Sequence, residues 1–213
     1  MDLADRRDEY ETAGIDFADV SADPIEQFQR WYLAAEEAEL WEPNAVVVAA
    51  VDPHGWPTSR YLLMKGFDHR GFVFFTNYES HKAEALETSG RAALTFGWLP
   101  LRRQVRIQGT VARVSADESD DYFARRPPGA QVGAWASPQS EVVADRADLE
   151  RRYAAVEAGV GEGPIERPPH WGGYRVAPER IEFWQGRPNR FHDRLLYVRE
   201  PGADRWTISR LAP

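Results

Sequence analysis

Three cations stand at alternate positions near the C-terminal end of the chain. Arg190, His192 and Arg194 follow an apolar run and a turn, Ile181-Glu-Phe-Trp-Gln-Gly-Arg-Pro-Asn189. If this stretch is extended, strand alternation sets the three on one face and Phe191 and Asp193 on the other. That face could meet an anionic, planar ligand. A solvated hairpin edge guarded by arginines against aggregation has the same spacing, so the stretch alone leaves both readings open. Lysine usage is a second chemical signal: of the 26 Lys and Arg residues only Lys65 and Lys82 are lysine. A compact ammonium suits a tight phosphate or ring-nitrogen contact where a planar guanidinium does not fit. Lys82 sits in the first turn of a helical stretch opened by Ser80-His81, where a cation opposes the helix dipole and a bound phosphate would resolve the conflict. Tyr122 and Arg126, four apart in another helical stretch, offer a hydroxyl and a guanidinium on one face.

These groups need elements to hold them. Asp23-Pro-Ile-Glu26 begins a helix with Asp as N-cap and Pro at its first position, and Ile25, Phe28, Tyr32 and Ala35 give it one core face. Residues 1–22, polar and acidic, read as a mobile arm or short helix, and residues 23–213 as a single domain. Apolar runs at 45–51, 59–65 and 72–77 are separated by short turns, the mark of antiparallel hairpins. Runs at 92–98 and 104–114 extend these to a predicted meander of five. A helix is expected from Ser80 to near Gly90. Ser115-Ala-Asp-Glu118 is a capping box for the helix that carries Tyr122 and Arg126, which Arg126-Pro-Pro-Gly129 stops. Residues 131–140 read as a site-lining loop, 145–158 as a charged helix and 159–169 as a linker. Four further strands are expected at 173–176, 180–185, 194–199 and 206–211.

The pattern is mainly β with flanking helices, and without βαβ alternation it predicts a closed or nearly closed antiparallel barrel. No GxGxxG follows a strand and no GxxxxGK[ST] occurs, so dinucleotide-fold and P-loop readings fall away. A chain of 213 residues, 43% hydrophobic and 12% aromatic, can bury a full core. A net charge of −8 argues against non-specific nucleic-acid binding. The absence of cysteine excludes disulfides, thiolate catalysis and sulfur-ligated zinc. No apolar run is long enough for a bilayer, and no apolar segment follows the charges of Met1-Asp-Leu-Ala-Asp-Arg-Arg7, so the expected setting is cytoplasmic.

Taken together, Arg60-Tyr-Leu-Leu-Met-Lys65, Phe75-Thr-Asn77, Ser80-His-Lys82, Arg103-Gln104, Tyr122 with Arg126-Pro127, Gly133-Ala-Trp135, Gln139-Ser140, Trp171-Gly-Gly173, Glu182-Phe-Trp-Gln-Gly186, Arg190-Phe-His-Asp-Arg194 and Arg210-Leu-Ala-Pro213 resemble the pyridoxamine 5′-phosphate oxidase family. The resemblance runs from about Arg7 to the last residue. It implies an FMN-binding split barrel that forms a homodimer with FMN at the subunit interface. It also implies oxidation of pyridoxine and pyridoxamine 5′-phosphates to pyridoxal 5′-phosphate, with O2 reduced to hydrogen peroxide. By the same resemblance Arg60 and Lys82 hold the FMN phosphate, with Thr76 and Ser140 as hydrogen-bond donors and Lys65, Phe75 and His81 also at the cofactor. Gln104, Gln139, Trp184 and Arg194 match flavin contacts, some from the partner subunit. Lys65, Tyr122 and Arg126 match the substrate-phosphate site, and Arg190 and His192 the residues that cover the substrate ring, with Arg190 orienting it. Arg7 and Tyr10 match a segment that closes over the site. His81 and Ala130 depart from the commoner Arg and Ser, each removing a donor to a phosphate. The rivals are a split-barrel flavin oxidase of another substrate, such as a phenazine precursor, and a non-catalytic flavin or pyridoxal phosphate binder.

Overall fold

The computed structural model describes residues 10–161, 163–203 and 205–213. Arg7 lies outside them. Helix α1 (Pro24–Glu37) begins as expected, with the Asp23 carboxylate accepting the Ile25 N–H at 2.8 Å. Its apolar face carries Phe28, which is fully buried and meets Phe67, Phe72 and Phe96 edge-on at 4.9 Å. That aromatic nest joins α1 to the interior of the sheet, and edge-to-face geometry adds to its area burial.

Strands β1 (Ala45–Val51) and β2 (Pro57–Leu63) form the expected hairpin. Its turn is held by Asp52, whose Oδ1 accepts the N–H groups of His54 and Trp56. The short β3 (Gly66–Asp68) pairs with β4 (Gly71–Asn77), and then come α2 (His81–Ser89), β5 (Arg91–Trp98) and β6 (Arg103–Arg113). Gly90, at φ 61°, closes α2 in the left-handed region that glycine enters without steric cost. The order across the sheet is β2-β1-β5-β6-β7-β4-β3, so the five-strand meander is overturned: β4 does not sit beside β5 but pairs with β7 (Trp171–Gln185). Periodicity identifies a strand and is silent about its partner.

The two strands expected at 173–176 and 180–185 are one long strand, β7. One of its edges runs along β6 from Arg103 to Arg113. The other is divided, residues 171–176 pairing with β4 and residues 180–185 with β8 (Asp193–Arg199), which in turn pairs with β9 (Trp206–Arg210). A register shift at Gln108/Gly109 faces Pro178 and permits the bend. All pairings are antiparallel, and the result is a half-barrel with helices outside it. Helices α3 (Ala116–Ala124), α4 (Pro128–Ala136) and α5 (Arg146–Gly159) lie between β6 and β7 in the chain. The α4 span corrects the expected loop at 131–140, because Pro127 and Pro128 begin a helix there as well as ending one.

Residues 10–16 are tied to the β7–β8 connection. Thr12 Oγ1 donates to Gly186 O, Arg187 Nη1 to Thr12 O at 3.0 Å, and Ile15 N to Asp193 Oδ2 at 3.1 Å, while the Ile15 side chain is buried in the core. No helix among the described residues is long and apolar enough to cross a membrane.

Candidate functional site

The first cluster is built at the end of β4 and the start of α2. Ser80 is fully buried, its hydroxyl donating to Asn77 O at 2.7 Å, and this turn throws Lys82 back toward the strand. Lys82 Nζ donates to Gln139 Oε1 at 2.6 Å, Thr76 Oγ1 at 3.1 Å and Ser80 Oγ at 3.2 Å. All three acceptors are neutral. Burial first, and the nearby Arg60 guanidinium second, push the Lys82 ammonium down from 10.5 to about 8. Arg60, on β2, is half-buried and itself lowered by burial, with Nη1 near Val48 O and Thr58 O at 3.5 and 3.4 Å. Neither cation makes an ion pair with a carboxylate among the described residues. Across the turn the His81 backbone N–H donates to Ser140 Oγ at 3.3 Å, and Ser140 holds a left-handed φ of 78°. Two uncompensated cations, hydroxyls and a helix N-terminus together fit a dianionic phosphate.

Beside this cradle, on the other face of β4, Phe75 stacks on Tyr122 at 4.0 Å, and Trp171 lies parallel to both rings within 12° and 7°. The Arg126 guanidinium lies over Trp171, 4.6 Å from the ring centroid. Arg126 is not on the Tyr122 helix as expected, since α3 ends at Ala124 and Arg125 caps it. Gln131 holds the turn beyond, its Nε2 donating to Phe123 O and Arg126 O at 3.0 Å. Arg126 Nη2 donates to Ala130 O at 3.0 Å, while its buried Nε has no hydrogen-bond partner. Lys65 is exposed between β2 and β3, and its backbone N–H donates to Val73 O.

The second cluster lies at the C-terminal half of β7. Gln104, Trp184 and Arg194 occupy one rung across β6, β7 and β8, which puts their side chains on a common face. Arg194 is clamped by the buried Glu182, Nε to Oε1 at 2.9 Å and Nη2 to Oε2 at 3.1 Å, and its Nη1 donates to Ala212 O. Arg106 approaches the same carboxylate at 3.4 Å. The His192 ring is 4.6 Å from Trp184 and 5.8 Å from Tyr10, and Tyr10 in turn meets Trp184 edge-on at 6.3 Å and the Arg102 guanidinium at 4.5 Å. His192 Nδ1 accepts the Arg187 backbone N–H at 3.0 Å, which leaves the proton of the neutral ring on Nε2. Burial, then the Arg190 charge, lowers its pKa, and Asp193 acts in the opposite sense.

The alternation expected from Arg190 to Arg194 fails. Residues 188–190 form a short 3-10 turn in which Asn189 and Arg190 both take left-handed φ, 56° and 58°, and β8 begins only at Asp193. Arg190 is therefore presented by a turn and is exposed. No hydrogen bond, ion pair or ring contact among the described residues joins the two clusters. The residues that spacing missed are Ser80, Gln131, Trp171 and the Glu182 clamp. Trp171 and Glu182 act across elements far apart in sequence, and Ser80 and Gln131 through turns that join helix to strand or helix to helix; helix and strand periodicity carries no signal for either.

A family model described as pyridoxamine 5′-phosphate oxidase matches residues 33–158. The chain belongs to the pyridoxamine 5′-phosphate oxidase family. A second model, the pyridoxine 5′-phosphate oxidase C-terminal dimerisation region, matches residues 171–213 and so takes in Glu182, Trp184, His192 and Arg194 of the second cluster. Proteins named pyridoxine/pyridoxamine 5′-phosphate oxidase from Ralstonia pickettii and Salinibacter ruber are 56% and 57% identical, each alignment covering 99% of both chains. Among solved structures, PhzG from Burkholderia lata 383, in complex with tetrahydrophenazine-1-carboxylic acid, superposes with a TM-score of 0.88 at 29% identity, covering 97% of this chain and 100% of that one. A pyridoxamine 5′-phosphate oxidase-related, FMN-binding protein from Nostoc punctiforme superposes with a TM-score of 0.71 at 20% identity over 91% of this chain and all of that one. The half-barrel is thus the split barrel expected from the family.

Proposed function

We propose that this chain is an FMN-dependent oxidase that converts pyridoxine 5′-phosphate and pyridoxamine 5′-phosphate to pyridoxal 5′-phosphate, O2 becoming hydrogen peroxide. The observation that carries the reading is the Lys82–Arg60 pair. Two half-buried cations, one lowered to about 8, are surrounded only by neutral oxygens, a costly arrangement that a phosphate relieves. FMN, when bound, supplies the electron acceptor for substrate and the donor to O2. Its phosphate would be held by Lys82, Arg60, Thr76, Ser140 and the N–H of His81, with Phe75 and Gln139 beside it. Gln104, Trp184 and Arg194 would meet its ring system. Because the two clusters are separate within one chain, the complete site takes the second cluster from a partner in a homodimer, in keeping with the dimerisation region spanning residues 171–213.

Tyr122 and Arg126, with Lys65, would bind the substrate phosphate, and Arg190 and His192 would cover the substrate ring. Arg190 orients that ring, and Tyr10 closes the side of His192 against solvent; Arg7 belongs to the same segment. His192, neutral with its proton on Nε2, has a donor to offer the substrate and no free acceptor on Nδ1. Losing the donors of an Arg at position 81 and a Ser at 130 weakens phosphate binding by on the order of 1–3 kcal/mol each where nothing replaces them. A cytoplasmic setting is part of the same proposal.

The test is direct. Purified protein should be yellow, and each phosphorylated vitamer should yield pyridoxal phosphate and peroxide with matching oxygen uptake. A colourless protein that gains no flavin spectrum with FMN would remove the enzyme reading and leave a mere binder at most. The PhzG likeness favours a second reading, oxidation of a phenazine precursor. The Tyr122–Arg126 pair argues for a phosphorylated substrate, and turnover of unphosphorylated in preference to phosphorylated compounds would reverse the choice.

A further inference from the structure

We infer that Trp171 is a positioning residue that sets Tyr122 and Arg126 for the substrate phosphate. The inference rests on the substrate reading above. Trp171 opens β7 and is buried, and its ring is parallel to Tyr122 within 7° and to Phe75 within 12°. The same ring carries the Arg126 guanidinium 4.6 Å from its centroid. One side chain therefore touches both groups assigned to the phosphate and the Phe75 ring that leads to the flavin cradle. Its backbone is tied back to the same region, since Trp171 O accepts from Arg167 Nη1 and Arg167 Nε donates to Asp120 of α3, each at 2.6 Å.

The chemistry explains why a ring serves here. A carboxylate would hold Arg126 more strongly, but it would neutralise the charge and repel the phosphate. An aromatic face restrains a guanidinium in a plane and leaves its charge and edge N–H groups available. Arg126 fits that description. It has no carboxylate partner among the described residues, spends one N–H on Ala130 O, and keeps a buried Nε without a hydrogen-bond partner. Tyr122 is held by stacking and by the Arg125 guanidinium 5.9 Å from its centroid, and its hydroxyl makes no hydrogen bond among the described residues, which leaves it for a ligand.

Trp171→Leu keeps apolar volume and removes the ring face. In the flavin-loaded enzyme KM for pyridoxine 5′-phosphate should rise about fivefold, about 1 kcal/mol, with kcat within about twofold and flavin content unchanged. The inhibition constant of inorganic phosphate, competing with the vitamer, should rise by the same factor. Trp171→Phe, which retains a ring, should confine both rises to about twofold. In an Arg126→Lys background, where the planar cation is gone, each substitution should add less to the loss than it does in the wild type, the remainder acting through Tyr122. The Phe form carries the test if the Leu form does not fold, because its twofold rise must also shrink in that background. The role is overturned if KM and the phosphate constant stay put, if both forms lose flavin and kcat together as a merely structural defect would, or if the effects persist undiminished beside Arg126→Lys. Should the wild type turn over neither vitamer, the substrate reading fails and the role falls with it. Wild-type turnover with an unmoved KM in the Leu form sinks the role alone.

Discussion

The lowered pKa of Lys82 makes cofactor affinity depend on pH in a way that can be worked out beforehand. In the ligand-free chain Lys82 releases its proton near 8, whereas an ordinary lysine does so at 10.5. A phosphate held against Nζ favours the charged form and restores the higher value, so above pH 8 binding must take up a proton. Between about 8 and 10.5 the dissociation constant then rises up to tenfold per pH unit. From pH 7.5 to 9.5 the expected weakening is about 20-fold, and it owes nothing to the ligand, whose phosphate monoester is already dianionic above about pH 6. The assay is quenching of FMN fluorescence on titration with FMN-free protein. Lys82→Met should weaken binding at pH 7.5 by about 1.5–3 kcal/mol, the range for hydrogen bonds to a charged group, and should abolish the pH dependence. The reasoning is refuted if wild-type affinity is flat to pH 9.5 or if the Met variant shows the same slope. Stability of the ligand-free chain moves the other way. Unfolded Lys82 keeps its proton up to 10.5 while the folded group loses it from about 8, so the unfolded state binds more protons and stability from this group rises with pH through that window.

Arg190→Ala should lower kcat/KM by at least about two orders of magnitude with FMN retained, the scale for a substrate-positioning group, as read by steady-state oxygen uptake; full activity would deny its role. Glu182→Ala strands Arg194 and Arg106. The loss should be about 2–3 kcal/mol, below the 3–5 of a fully buried pair because both arginines are partly exposed, seen calorimetrically as a fall in Tm of about 4–12 °C. Gly109→Ala would put a Cβ 2.0 Å from Ala177 O at the β7 bend, and overpacking of about 3 kcal/mol should lower Tm by about 6–12 °C; an unchanged Tm would mean that the bend is not sterically set.

Local chemistry was legible in the amino-acid sequence. Asp23 and Ser115 cap the helices they were expected to cap, and the Asp52 turn closes the expected hairpin. Partnership was not legible. The apolar run of 71–77 is the same whether that strand lies against β5 or β7, and the choice depends on how the long β7 divides its edge. Pro127-Pro128 reads equally as a stop and a start, and the small and amide residues of 131–140 show no clear periodicity, so α4 carries no helix signal in the sequence. At Arg190 the period-two argument failed because a proline and two left-handed residues intervene before β8. Tyr122 and Arg126 were grouped on the wrong ground, a shared helix face, and are nonetheless brought together by Trp171.

The pairing of β4 with β7 also sets an order of events during synthesis. Thr76, which meets Lys82, finds its strand partner at Gly172, and Phe75 finds its own at Gly173. Until the ribosome has delivered those residues, the inner edge of Gly71–Asn77 has no neighbour. At roughly 5–20 residues per second that interval lasts on the order of 5–20 s. During it an apolar strand carrying three phenylalanines presents bare N–H and C=O groups, the situation that invites chain-to-chain association. Half the cradle is thus translated early and made usable late, so a nascent chain cut before position 171 would be prone to cluster with its neighbours on the polysome.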